Sequence, residues 1–319
     1  MKHIFVINPV AGKGMGREFA HSIEDVAEEL DINYEIYFTT KRYDAEKRVR
    51  EICSENEVEK KEKNIENIRF YACGGDGTLN EVANGICGFK KVELACIPIG
   101  SGNDFVKNFP KADFMSIERQ ILGEVQKVDL MEYSGIFDGV FMKKVAINMF
   151  NIGFDANVAN DMNVFKAKPL ITGKGAYRIS LATNFIAKKG GDLVVNIDNK
   201  EIHSGKLFFV NICNGSFLGG GMKGAPFARV DDGKMDINIV KNMSRVEFLK
   251  LISKYMKGTH MSVPGIEKTI TYMQTDDIEI VSNDEKYRLG VDGEIIEATG
   301  TLRFRMLPKA VDFAIPLNK

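Results

Sequence analysis

Short apolar runs and helix-spaced apolar positions alternate through the first third of the chain. Ile4 to Ile7 is a continuous apolar run, as expected of a strand buried on both faces. Asn8-Pro9 ends it, and Gly12-Lys13-Gly14-Met15-Gly16 predicts a loop. Phe19, Ile23, Val26, Ala27 and Leu30 then recur at helical spacing. Tyr34 to Thr39 reads as a second strand, and Asp44 to Glu57 as a charged helix with Ala45, Val49 and Ile52 as its buried stripe. The tract Glu57 to Asn64 is polar throughout and predicts an exposed helix end and loop. Ile68 to Cys73 is the third strand, Leu79 to Cys87 the next helix and Leu94 to Ile97 the fourth strand. This alternation predicts a doubly wound, mostly parallel α/β domain. Such sheets bind ligands at the carboxyl ends of their strands, where the loops after Ile7, Cys73 and Ile97 lie.

The pattern changes near Asp129, and from there most segments alternate as strands. Asp138-Gly139 between Tyr133–Phe137 and Val140–Asn148 signals a hairpin, as does Asp198-Asn199 between Leu193–Ile197 and Glu201–His203. Lys206–Cys213, Met235–Val240, Ile278–Val281 and Leu302–Leu307 add strands. Helical spacing interrupts at Ala176–Lys188 and Arg245–Met256. The expectation is two domains: an α/β domain over 1–128, and a mainly antiparallel β-sandwich or open barrel with helical insertions over 129–308.

The 319 residues carry a net charge of −1, so no global field recruits nucleic acid. Five scattered cysteines without a Cys-x-x-Cys pair read as reduced thiols of a cytosolic protein. No segment has the apolar length of a membrane span, and the short N-terminal run reads as a strand, not a signal peptide. Val164 to Lys189 holds Lys166, Lys168, Lys174, Arg178, Lys188 and Lys189 among apolar residues and no acid. It reads as a solvated helix packed on the sheet, or as an interfacial helix facing a membrane.

Gly74-Gly75-Asp76-Gly77-Thr78, followed by Leu79, Asn80 and Glu81, carries the most chemistry. A strand, a glycine turn and a helix N-terminus make an anion site. A carboxylate inside it makes sense if a divalent cation lies between it and phosphate, so the motif predicts nucleotide phosphates, Mg²⁺ and phosphoryl transfer. Gly12, Gly14 and Gly16 after Asn8-Pro9 match no Walker pattern, but Lys13 and Arg17 could reach phosphate from there. In Pro98-Ile99-Gly100-Ser101-Gly102-Asn103-Asp104-Phe105, Ser101 and its neighbours suit phosphate or ribose. Asp104 is either a metal-side carboxylate or the N-cap of a short helix to Lys107. Gly219-Gly220-Gly221 costs backbone entropy and implies close packing or ligand approach. Asp231-Asp232-Gly233 is a β-turn or a hard-cation ligand. Val291-Asp292-Gly293-Glu294, taken on its residues alone, is a hairpin turn. The four histidines show no zinc spacing, and no Gly-x-Ser-x-Gly elbow occurs.

In this order, nearly end to end, these segments resemble the diacylglycerol kinase catalytic family, specifically the soluble bacterial lipid kinases. Val128-Asp129-Leu130 and Asn151-Ile152-Gly153-Phe154-Asp155-Ala156 belong to the same likeness. The resemblance implies a two-domain ATP-dependent lipid kinase with its active site in the interdomain cleft. It also implies a final strand around Ala310–Pro316 that returns 309–319 to the first domain. Asn8, Pro9, Gly12, Lys13, Gly14, Thr40, Gly74, Gly75, Asp76, Gly77, Thr78, Asn80, Ser101 and Asn103 would then contact ATP. Asp76 would orient Mg²⁺, with Asp104 and Asp129 in support. Asp232, with the carbonyls of Arg229 and Lys234, would hold a second Mg²⁺. Glu294 would be the catalytic residue, with Asp292 beside it, which overrides the plain turn. Ser101 stands where the family commonly has threonine, and Val106-Lys107 where Ala-Arg is frequent. The implied reaction is diacylglycerol to phosphatidic acid at the inner face of the membrane, by a cytoplasmic enzyme in peripheral contact with the bilayer. Phosphatidylglycerol or a sphingoid base are alternative acceptors, and a homodimer is left open. NAD kinases share the Gly-Gly-Asp-Gly-Thr core, but the triple glycine and the Asp-Gly-Glu triplet favour a lipid kinase. A non-catalytic sensor would not need to retain Asp76, Asp232 and Glu294.

Overall fold

The computed structural model of the chain describes residues 1–59, 65–153 and 190–317. The basic segment Val164–Lys189 and Phe154-Asp155-Ala156 lie outside the described residues. The chain forms two compact units, Met1–Leu130 with Pro308–Lys319, and Met131–Leu307.

Unit 1 is built on strands β1 (Lys2–Ile7), β2 (Asn33–Phe38), β3 (Ile68–Cys73) and β4 (Val92–Ile97). β1 pairs in parallel with β2 and β3, and β3 with β4. The end of β14 (Glu294–Ile315) adds a further parallel strand beside β4. All six residues of β3 are buried, which is why its sequence shows no alternation. Phe5 and Tyr71 stack at 4.2 Å between ring centroids. Around them pack Ile7, Ile97 and Ala95 of the sheet, and Ala20 and Ile23 of helix α2 (Gly16–Glu29). Helices α3 (Asp44–Glu59) and α4 (Asp76–Ile86) complete the covering layers.

One expectation fails in this unit. Residues 12–16 are not an open loop: Ala11–Gly14 wind into a short helix, α1, and α2 starts at Gly16. The glycines permit this, because Gly12 has φ +58 and a Cβ there would lie 2.8 Å from the Ile99 carbonyl oxygen. A Cβ at Gly16 would lie 2.6 Å from the Asn8 carbonyl oxygen. Close approach, not flexibility, explains both residues.

Arg69 is the odd residue of β3, 5% exposed. Its Nε donates to Glu93 at 2.6 Å, and its guanidinium nitrogens donate to the carbonyls of Gln120, Ile121 and Gly123 at 2.8, 2.9 and 3.0 Å. It thereby satisfies the open C-terminal carbonyls of helix α5 (Ile117–Ile121). Arg69→Met should cost about 3–5 kcal/mol of unfolding free energy, because it removes the partner of the half-buried Glu93 carboxylate and the side-chain donors to the Ile121 and Gly123 carbonyls. Urea unfolding reads this directly, and an unchanged midpoint would refute it.

Unit 2 is antiparallel in every strand pair whose register is defined. Strands β5 (Glu124–Phe137) and β6 (Val140–Ala146) form a hairpin through Asp138-Gly139. β8 (Gly191–Ile197) and β9 (Lys200–Cys213) form another through Asp198-Asn199. All four turn residues have positive φ, the conformation of a type I′ turn. β7 (Met149–Gly153), β13 (Tyr287–Val291), β14, β12 (Asp277–Ser282), β8 and β9 pair in succession and close back on β7. Phe150, Val195, Val210, Ile280, Leu289, Leu302 and Phe304 fill this closed ring. β10 (Met235–Lys241) and β11 (Ile270–Thr275) extend it beyond β9.

Helix α6 (Arg245–Met256) starts on a reciprocal capping box between Ser244 and Glu247. Glu201–His203 and Lys206–Cys213, read as two strands, are one strand, β9. It passes through Gly205 at φ +107 beside a register shift in its pairing with β8.

Two buried histidines make the fold acid-sensitive. His3 is hydrogen-bonded through Nδ1 to the Tyr71 hydroxyl at 2.7 Å, and His260 is fully buried against the Tyr255 ring. Burial lowers each from the ordinary 6.5 to about 4, with the Arg69 charge adding to the effect at His3. Between these values the unfolded chain binds protons that the native chain does not, so stability falls as pH drops from about 6.5 to about 4. The loss is at most roughly 3 kcal/mol per histidine. Denaturation midpoints across that window test it, and His260→Phe should make the fall shallower.

Candidate functional site

Four loops emerge at the carboxyl edge of the unit 1 sheet, and backbone hydrogen bonds join them. Asn8 N–H donates to the Cys73 carbonyl at 3.0 Å, Thr39 N–H to Ile7 at 2.9 Å, Gly74 N–H to Ile97 at 3.2 Å and Gly100 N–H to Gly74 at 2.9 Å. Gly75 and Gly100 meet backbone to backbone, so a side chain on Gly100 would collide with Gly75. A side chain on Gly74 would strike Thr78. The structure therefore brings Asn8, Pro9, Gly12, Thr40, Gly74–Thr78 and Ser101–Asp104 to one edge. Gly14, at φ +93, has nothing within 4 Å of where a Cβ would stand. That leaves open space beside the loops.

Gly75 sits at the N-cap of α4 in extended conformation and brings no side-chain acceptor to the first turn. The N-terminal amides and the helix dipole favour an anion there. Asp76 follows immediately, its carboxylate accepting from Asp104 N–H at 2.7 Å. Burial and the neighbouring Asp104 carboxylate push Asp76 up to about 6, against the backbone N–H groups of Asp104 and Phe105 and the Lys107 ammonium. A proton bound there in the native state opposes the histidine effect between about pH 4 and about pH 6.

Asp104 is buried. It does not cap the short 3₁₀ turn Phe105–Asn108 with its side chain; its carboxylate pairs instead with Lys107 Nζ, which also donates to the Gly102 carbonyl at 2.9 Å. Two neighbouring carboxylates with one ammonium fit a divalent cation as the missing charge. Sequence reading passed over Lys107 as a substitution, although its spacing of three from Asp104 was the available signal.

Other named residues have jobs in the scaffold. The Thr40 N–H and hydroxyl both donate to Asp44 Oδ2, at 2.7 and 2.9 Å, which ties Thr40 to the start of α3. Glu81 accepts from Tyr43 and Ala45 N–H at 2.9 and 3.1 Å and holds the start of α3. Asn80 accepts from Asn84 Nδ2 one turn along α4. Asn103, at φ +49, donates to the Pro98 and Gly100 carbonyls at 2.8 and 2.7 Å, and its Oδ1 is buried with no hydrogen-bond partner. Asp129 is fully buried and accepts the Lys309 N–H at 2.6 Å, which ties β14 to β5 within unit 1.

In unit 2, Asp292-Gly293 is a two-residue hairpin turn with φ +45 and +88, placing Val291 opposite Glu294. The turn reading and the site assignment thus describe one object. Asp292 is 2% exposed, and its carboxylate accepts three backbone N–H groups: Ile147 at 2.8 Å, Asn148 at 3.1 Å and Met149 at 2.7 Å. Its own N–H donates back to the Met149 carbonyl at 3.1 Å. A carboxylate so saturated is an anchor for the turn that carries the half-buried Glu294. These three amides left no trace in sequence, since backbone donors have no residue code.

Asp232 is exposed and accepts Lys234 N–H at 3.0 Å around Gly233 at φ +74. Arg229 pairs with Asp231 at 3.3 Å and Lys234 with Asp276 at 3.5 Å. The side chains of Arg229 and Lys234 are thus turned to carboxylates. Among the described residues no group of three or more His, Cys, Asp or Glu side chains is placed to hold a metal. Asp236, next along, is fully buried and bound by Tyr272 and Gln274.

Comparison with known proteins gives this arrangement a family. Residues 2–133 match the diacylglycerol kinase catalytic domain, and residues 148–315 match the YegS C-terminal NAD kinase beta sandwich-like domain. The chain is 29% identical over 294 residues to a diacylglycerol kinase of Staphylococcus saprophyticus, covering 91% of this chain and 87% of that one. It is 27% identical over 231 residues to a diacylglycerol kinase of Bacillus subtilis, covering 70% of each. A crystal structure of a diacylglycerol kinase from Bacillus anthracis shares the fold, with a TM-score of 0.65 and 18% identity over 98% of this chain and 96% of that one. The chain belongs to the diacylglycerol kinase family, its first part built as the catalytic domain and its second as the YegS C-terminal NAD kinase beta sandwich-like domain.

Proposed function

We propose that this protein is an ATP-dependent lipid kinase that converts diacylglycerol to phosphatidic acid. One observation carries the reading: the joined glycine loops of unit 1 converge on the N-terminus of α4, where Asp76 lies beside Asp104 of the loop after β4. Phosphoryl transfer needs mainly positioning and charge stabilisation, and backbone amides beside carboxylates supply both. Asn8–Gly14, Gly74–Asn80, Ser101 and Asn103 hold the nucleotide, with Thr40 at the edge of the same group. Asp76 and Asp104 are the residues that would hold Mg²⁺, which would supply the positive charge that lets phosphate approach a carboxylate. Asp129 keeps the neighbouring strands in place, and Asp232 is the residue of the 229–234 turn fit for a second cation.

Glu294 takes the proton of the acceptor hydroxyl as that oxygen bonds to the γ-phosphorus. The bond from phosphorus to the β–γ bridging oxygen breaks, and its electrons leave on ADP. Asp292 keeps Glu294 in register through the three backbone N–H groups that its carboxylate accepts. Among the described residues no helix is long and apolar enough to cross a membrane. In this reading the enzyme meets its lipid in peripheral contact with a bilayer surface. Incubating the protein with ATP and a total lipid extract, then analysing lipids by mass spectrometry, tests the reading. A lipid class gaining one phosphoryl group is expected; an unchanged lipid profile with ATP consumed on another acceptor overturns it.

A further inference from the structure

Two buried asparagines meet at the bend that holds Asp292. Residues 147 and 148 join β6 to β7 and belong to neither strand, so their backbone groups need partners from elsewhere. Asn148 is 2% exposed and Asn214, directly after β9, is 0% exposed.

The peptide group between Ile147 and Asn148 is held at both ends. Its N–H donates to Asp292 Oδ1 at 3.1 Å, and its carbonyl accepts from Asn214 Nδ2 at 2.7 Å. The next peptide group is held in the same manner. Its N–H, that of Met149, donates to the same Asp292 oxygen at 2.7 Å. Its carbonyl, that of Asn148, accepts the Asn214 and Gly215 N–H groups at 2.8 and 3.2 Å. The carbonyl and N–H of a trans peptide lie in one plane and point opposite ways. Aiming the two carbonyls at Asn214 therefore aims the two N–H groups at Asp292. The Asn148 carboxamide adds a further tie, from Nδ2 to the Phe217 carbonyl at 2.9 Å.

An apolar residue at 214 would leave the Ile147 carbonyl without this donor in a dry place. Satisfying a buried carbonyl is an ordinary structural duty. What sets Asn214 apart is where its effect arrives. The amides it orients hold Asp292, and Asp292 stands two residues before Glu294 in a turn that places Glu294 opposite Val291. Reaction rates are sensitive to such placement: a base displaced by about 1 Å can lose roughly 10²-fold in rate.

The geometry points to Asn214 as a positioning residue of the phosphoryl transfer, acting on Glu294 through the Ile147–Met149 bend and Asp292, with Asn148 in support. The inference rests on the lipid-kinase reading, in which Glu294 is the base. It extends that reading to a side chain with no exposed surface.

The test is a double-mutant cycle on kcat, with γ-labelled ATP and diacylglycerol in mixed micelles. Asn214→Ala should lower kcat by roughly ten- to hundredfold, with nucleotide affinity within about twofold of wild type. In a Glu294→Gln background the same substitution should lower kcat by less than about threefold, because no base is left to misplace. Amide hydrogen exchange gives a readout that needs no turnover. The N–H groups of Ile147, Asn148 and Met149 should exchange about tenfold or more faster in Asn214→Ala, while those of β12 change by less than about threefold. Should Asn214→Ala fail to fold, Asn148→Ala decides by the same readings, with a fall in kcat of roughly threefold or more expected. Equal losses of kcat in both backgrounds, an unchanged kcat in the folded variants, or exchange that quickens alike in the bend and in β12 overturns the positioning role and leaves the kinase reading intact. Wild-type protein that phosphorylates no lipid overturns the kinase reading and the positioning role together.

Discussion

Glu294→Gln is expected to lower turnover by about two to four orders of magnitude while nucleotide affinity stays within about twofold. Glu294 opens β14 directly after the Asp292-Gly293 turn and pairs with Val291. Glutamine has the same length and shape and keeps an acceptor oxygen, so the hairpin has no reason to move. What it cannot do is take a proton at neutral pH. Loss of the base should therefore appear in kcat, with nucleotide binding read separately by titration. Near-normal turnover in a folded variant would remove Glu294 from the chemistry.

Asp292→Ala should have the second large effect, on stability and turnover together. The carboxylate accepts the N–H groups of Ile147, Asn148 and Met149 in a dry setting. Alanine leaves all three unpaired and also strains a position at φ +45. A loss of about 3–5 kcal/mol of unfolding free energy follows. Asp292→Asn separates anchoring from direct chemistry. It tolerates positive φ and keeps one acceptor oxygen, but its amide group faces a donor. If Asp292 only positions, stability and turnover should fall in step, with Asn between Asp and Ala. A fully stable Asp292→Asn protein without turnover would instead make Asp292 a reacting group.

Much of this arrangement can be read from residue order where one residue decides local geometry. Asp138-Gly139, Asp198-Asn199 and Asp292-Gly293 each mark a two-residue turn because their φ values must be positive. Ser244 with Glu247 marks the start of α6, and the unbroken apolar run Ile68–Cys73, apart from Arg69, marks a central strand. Reading fails where distant parts of the chain set the outcome. Gly12 to Gly16 looks like a flexible loop until the carbonyls of Ile99 and Asn8 are seen pressing on it. β14 runs for 22 residues through Gly300 and Pro308, both of which announce a break when read locally. β13 is short, carries Arg288 and Gly290, and becomes a strand because β7 and β14 flank it.

The site divides in the same way. Gly74–Thr78 declares itself, since glycine, carboxylate and helix start occur within five consecutive positions. The anchoring of Asp292 by Met149 N–H spans 143 residues of chain, and that of Asp129 by Lys309 N–H spans 180. Both use backbone donors that sequence does not distinguish. These two carboxylates are therefore better understood as holding strands in place than as groups that meet substrate.

The central claim is that a phosphoryl group passes from ATP to a lipid hydroxyl. Incubation with γ-labelled ATP, Mg²⁺ and mixed vesicles containing diacylglycerol, with NAD supplied as a competing acceptor, tests it most directly. Label in phosphatidic acid, lost in Glu294→Gln, is the predicted result; label confined to NADP, or absent from every lipid offered, would contradict it.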